Sequence, residues 1–126
     1  MRPSTLAEVA ALASAGEPFD MCLANFLDEF YAGPNVRALP EQPVLLAPQF
    51  GDRGRVQDAY LAATAEELAR RYNIPSPEWA ASADRALHKP WFATPLAALR
   101  AVLILESPPA FRARNLFVSE NALSRA

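Results

Sequence analysis

TPLAALRAVLILE, residues 94–106, is apolar on nearly every face: between Thr94-Pro95 and the Ser107-Pro108-Pro109 step only Arg100 and Glu106 carry charge. Thr94 is a good N-cap, and Pro95 suits the first helical position, where no N–H is needed. A helix of about three turns with no polar face belongs inside a globular core. It falls well short of the roughly 20 apolar residues that span a bilayer. The expectation is a buried apolar helix near 95–106 with the rest of the chain packed around it.

C-terminal to it, Ser107-Pro108-Pro109 repeats the helix-start signal, Asn115 stops that helix, and Leu116-Phe117-Val118 is a short apolar link. Ser119 is placed to cap a last helix from Glu120 to about Arg125. N-terminal to the central stretch, His88 to Ala93 leads in, Ala83 to Leu87 reads as one turn, and Ser76-Pro77-Glu78-Trp79 opens a short helix. Val56 to Tyr72 is a long Ala-rich helix. Val56, Tyr60, Leu61, Thr64, Leu68 and Tyr72 share its apolar face, and Asn73 is a left-handed stop before Ile74-Pro75. Its Glu66, Glu67, Arg70 and Arg71 set acids before bases at helical spacing.

Asn35 to Gly54 is irregular, broken by Pro40, Pro43 and Pro48. No Lys-Ser/Thr follows Gly51 to Gly54, so this turn is not a phosphate loop. Phe19, Cys22, Leu23, Phe26, Leu27 and Phe30 recur at steps of three and four and mark an amphipathic helix after Glu17-Pro18. Thr5-Leu6-Ala7-Glu8 fits a capping box for a first helix that Gly16 ends. No period-two strand is evident. The fold class is all-α: a single helical domain over 1–126, a bundle of about five to seven helices. A chain of 126 residues buries roughly two-thirds of its unfolded surface, enough for a real core.

Composition narrows the function. The net charge of −2 fits neither general nucleic-acid binding nor a membrane surface. It is unevenly spread: residues 1–50 hold six acids against two bases, whereas residues 85–126 hold six bases against two acids. Cys22 is the only cysteine, so an internal disulfide and a cysteine-based zinc site are excluded. Glu8 and Glu17 interrupt a signal-peptide pattern, and a cytoplasmic protein is expected. His88, the one histidine, has no marked nucleophile beside it, and the acid pairs Asp28-Glu29 and Glu66-Glu67 point apart on their helices. No catalytic, cofactor or metal residues are assigned, and an enzyme is not expected.

Two binding readings stay open. Phe117 to Arg125 has the Val-Ser opening of a helix-turn-helix recognition helix, which makes a small DNA-binding regulator the alternative. The basic C-terminal third also mixes aromatics with arginines, the composition of protein interfaces. Its partner-binding candidates are Trp91, Phe92, Arg112, Arg114, Phe117 and Arg125.

Pro90-Trp91-Phe92, the apolar helix and the run from Glu106 to Ala126 (ESPPAFRARNLFVSENALSRA) together resemble small uncharacterised actinobacterial proteins encoded beside nucleotidyltransferase-like toxins. That resemblance implies an antitoxin-type role: a protein-binding module that neutralises a cognate toxin by direct contact. It brings no catalytic residues with it.

Overall fold

The chain enters its fold through a capped helix. In the computed structural model, which describes residues 2–125, α1 runs Leu6–Ser14. Thr5 Oγ1 accepts the Glu8 N–H at 3.1 Å, and the Glu8 carboxylate accepts the Ser4 hydroxyl at 3.0 Å. The N-cap half of the capping box is therefore present, but the Glu8 carboxylate returns to Ser4, one residue before the cap, and not to the Thr5 N–H. Gly16 turns the chain at φ +110°, a region that costs any other residue strain. α2 (Phe19–Ala32) then packs on α1 and buries the whole Phe19, Cys22, Leu23, Phe26, Leu27, Phe30 stripe.

Val36–Ala38 is a 3-10 turn, and α3 (Ala47–Phe50) is a single helical turn. α4 (Asp52–Tyr72) is the longest element, ended by Asn73 at φ 54° as a left-handed cap. Two more 3-10 turns, Glu78–Ala81 and Ala83–Arg85, lead to β1 (Trp91–Phe92). α5 (Ala97–Glu106), α6 (Pro109–Arg112) and β2 (Leu116–Phe117) complete the order. β1 and β2 run parallel, with Trp91 opposite Leu116 and Phe92 opposite Phe117. The fold is all-α with this one minimal ribbon.

The ribbon was not expected from the pattern, because two-residue strands have no period to read. It forms because Asn115, at φ 63°, turns its carbonyl towards the Trp91 N–H (2.8 Å), and the Phe117 carbonyl takes the Ala93 N–H (3.0 Å).

α4 is the centre of the molecule. α3, α6, β2 and the two 3-10 turns after it all pack against it. Leu61, Thr64 and Leu68 are buried as expected, whereas Tyr72 is exposed. Much of the buried face is alanine, including Ala59, Ala62, Ala63 and Ala65. Small side chains let neighbouring backbones approach closely, and the closest approach is at Gly54. A Cβ there would overlap the Leu46 carbonyl oxygen and lie 2.8 Å from the Ala47 nitrogen. Backbone atoms cannot swing aside as a side chain can. Gly54→Ala is therefore expected to cost about 2–3 kcal/mol, although alanine is the better helix former by about 1 kcal/mol. Urea unfolding checks this; a variant as stable as wild type would show that α4 and residues 46–47 can move apart freely.

The buried helix expected near 95–106 is corrected. α5 lies on the surface, with Leu96 60%, Leu99 46%, Val102 43%, Ile104 44% and Leu105 82% exposed, and only Leu103 buried. The core is already closed by α1, α2, the alanine face of α4, Trp79, Phe111 and Leu116. α5 is the crossover between β1 and β2, so its ends are tied to the ribbon while its body stays outside. Its start is also shifted. Thr94 Oγ1 accepts the Leu96 N–H at 3.2 Å, but Leu96 is extended (φ −79°, ψ 113°), so the helix begins only at Ala97.

The last helix, from Glu120 to about Arg125, is corrected too: residues 120–123 form turns. Ser119 Oγ accepts the Asn121 N–H at 3.1 Å, a local bond that competes with helix. The Tyr31 hydroxyl donates to the Leu123 carbonyl at 2.7 Å and pins Leu123 in the core. The described residues thus contain no recognition helix after Phe117.

Candidate protein-docking surface

α5 is held firmly at its C-terminal end. The buried Ser107 hydroxyl lies 2.6 Å from the Leu103 carbonyl and 3.0 Å from the Val118 carbonyl, and it accepts the Val118 N–H at 2.8 Å. One side chain thus joins the end of α5 to the segment after β2. Leu103 supplies the apolar contact with the body. Arg100 turns back over the Phe92 ring, 5.0 Å from its centroid. At 3.6 residues per turn, Ile104 follows Arg100 on the same face. Arg112 Nη1 then lies 3.5 Å from the Ile104 carbonyl. Phe92, Arg100, Ile104 and Arg112 form one continuous strip along α5. A cleft of about 430 Å³ opens at its start, between the ribbon and Pro95.

The six candidate binding residues divide sharply. Trp91, Phe92 and Phe117 are half-buried on the ribbon. Phe92 stacks on Phe117 at 5.1 Å, and Trp91 rests against the core. Arg112 is exposed. Arg114 is only 8% exposed and points inward: it donates to the Ala80 and Ala110 carbonyls at 2.7 Å and lies 3.2 Å from the Glu66 carboxylate. Arg125 pairs with Asp28 on α2 at 2.9 Å, and its hydrogen bond holds that carboxyl below the usual range. Four of the six therefore lie beside α5, and two bind the chain to itself, Arg114 in the interior and Arg125 at the surface. What the sequence reading missed as a surface is the aliphatic side of α5 itself. The signal was present, but an all-round apolar helix reads as buried.

Other buried polar side chains tie elements of the fold together. Asp58 on α4 is fully buried, and its two oxygens accept the Leu46 and Ala47 N–H groups at 2.7 and 3.0 Å. Burial pushes its carboxyl up, against the pull of those bonds and of Arg85 at 3.7 Å. Arg85, also buried, stacks over Trp79 at 4.9 Å and donates to the Pro43 carbonyl. Glu67 is clamped by Arg70 at 2.6 Å and Arg71 at 2.8 Å, the expected acid-before-base pairs, while Glu66 goes to Arg114. Burial, then Glu17, pushes the Cys22 thiol up, which disfavours the reactive thiolate.

His88 is exposed, at the edge of a second cleft of about 360 Å³ that Asp58, Asp84 and Arg55 also line. Among the described residues no group of three His, Cys, Asp or Glu is arranged to hold a metal ion, and no helix is long and apolar enough to cross a membrane. Comparison with protein-family models, curated proteins and solved structures finds no match to this chain.

Proposed function

We propose that the chain is a non-catalytic protein-binding module whose partner docks along the Phe92, Arg100, Ile104, Arg112 strip and the aromatic ribbon beside it. The observation that carries this reading is the strip itself: Arg100 laid over Phe92, then exposed Ile104 with Arg112 at its carbonyl, on a helix anchored at both ends. A single exposed aliphatic is ordinary, but one set among aromatic and arginine side chains marks an interaction site. Burying such surface gains about 25 cal/mol per Å². Flanking arginines give the direction that apolar contact lacks, because guanidinium pairs bidentately with carboxylate or phosphate. In the specific form that the resemblance implies, the partner is a nucleotidyltransferase-like toxin. The chain is then its cytoplasmic antitoxin, acting by covering the toxin's active site.

The test is co-expression with the product of the adjacent gene. Wild type is expected to co-purify with it and neutralise it. The double variant Ile104→Glu/Arg112→Ala is expected to bind at least about tenfold more weakly, on the order of 1.4 kcal/mol or more. Both side chains are exposed, so the circular dichroism spectrum should not change. A folded double variant that captures the partner as well as wild type removes the strip from the interface. A neighbour that never binds removes the antitoxin form of the reading.

A further inference from the structure

The strip accounts for one side of α5 and leaves its outward side unused. Leu103 marks the side that faces the body. Diametrically opposite, at spacing i, i+3, i+4, i+7, stand Ala98, Ala101, Val102 and Leu105, all exposed. No charge falls among them. Arg100 is turned onto Phe92, and the Glu106 carboxylate faces the Glu120 N–H at 3.4 Å. On α2, by contrast, Asp20 and Glu29 hold exposed positions.

We infer that this stripe is a self-association face, and that its occupant is a second copy of the chain, α5 packed antiparallel on α5 about a two-fold axis between Ala101 and Val102. Three observations favour a second copy over another partner. The first is size. Such an axis sets Ala98 against Leu105 of the other copy and Ala101 against its Val102, so small meets large at every step and each copy supplies both halves of the fit. The second is charge. A residue near a two-fold meets its own kind, so any charge there would repel itself; this stripe has none. The third is area. The four stripe residues, with Val102 43% and Leu105 82% exposed, keep on the order of 300 Å² of apolar surface wet in one run. Two copies together would bury on the order of 600 Å², the size of a weak, reversible contact. The association is expected to be weak, with a Kd on the order of 100 µM. The inference uses a different face of α5 from the partner-binding strip and does not depend on it.

Sedimentation velocity of the full chain from about 1 to 200 µM tests it. The weight-average mass is expected to rise from the 13.7 kDa of one chain towards twice that value. Ala98→Glu alone and Leu105→Lys alone should each stay monomeric throughout, with unchanged circular dichroism. The double variant Ala98→Glu/Leu105→Lys should recover self-association, because opposite charges then meet across the two-fold. Their spacing of seven residues keeps them about 10 Å apart within one helix. A wild type that is monomeric at the highest concentration overturns the inference, as does a dimer indifferent to both single variants. A dimer broken by the single variants but not recovered by the double overturns the antiparallel arrangement. Since no second protein enters the assay, none of these results bears on partner capture at Ile104 and Arg112.

Discussion

Asp58→Ala is expected to cost about 3–5 kcal/mol, the largest loss of any single polar substitution in this chain. The carboxylate is completely buried, and it is what holds residues 46–47, where α3 begins, against α4. Alanine would orphan one buried and one part-buried backbone N–H group at once, the buried one costing about 1–3 kcal/mol. It would also strand the Arg85 guanidinium, 1% exposed, whose Nη1 makes no hydrogen bond even in the native fold.

The charge on Asp58 is not the stabilising quantity. Its carboxyl is raised above the ordinary value, first by burial, so the folded state holds that proton more tightly than the unfolded state does. By linkage, the contribution of this group to stability falls as pH rises from the unfolded value through the folded one. The acceptor oxygens are what matter. Asp58→Asn keeps one acceptor and turns an NH₂ group towards the second N–H donor, so it should fall between wild type and alanine, with a loss of about 2 kcal/mol. Urea unfolding at neutral pH gives the order. An alanine variant within about 1 kcal/mol of wild type would mean that residues 46–47 find other acceptors at little cost.

Arg114→Ala should destabilise the fold by about 3 kcal/mol, whereas Arg112→Ala, two residues away, should stay within about 0.5 kcal/mol of wild type. Arg114 satisfies the Ala80 and Ala110 carbonyls and reaches Glu66, so it ties the turn at 78–81, α6 and α4 together. Truncating it leaves two carbonyls without their charged donor. Arg112 reaches only the Ile104 carbonyl, at the long distance of 3.5 Å, and is exposed. The contrast governs binding experiments: loss of binding in an Arg114 variant reports on the fold, and only Arg112 can report on a contact. Thermal unfolding of the two single variants separates them. Equal melting temperatures would show that the Arg114 network adds nothing net.

The sequence by itself determined the elements whose causes lie within four residues of one another. The Thr5 N-cap, the Gly16 turn, the left-handed stop at Asn73, the stop at Asn115 and the aromatic stripe from Phe19 to Phe30 all appear where the pattern puts them. Helix bonds and caps are local, so residue type and spacing suffice to specify them. The all-α class follows from the same signals.

Which helix occupies the centre was decided only in three dimensions. α4 carries Asp58 and Glu67 on its buried surface and reads as less apolar than α5, yet its alanines and Gly54 allow the closest approach of neighbouring backbones. Its buried acids are matched by Arg85, Arg70, Arg71 and backbone donors that come from the same helix and from distant segments. α5 has the composition of a core helix, and in proteins generally that composition also suits a surface that a partner covers. The cost of wetting an aliphatic side chain is the same whichever molecule would cover it. Periodicity can therefore identify a face to be buried, but not whether this chain or another one buries it. That choice was made when α1, α2 and α4 closed the core and left α5 outside.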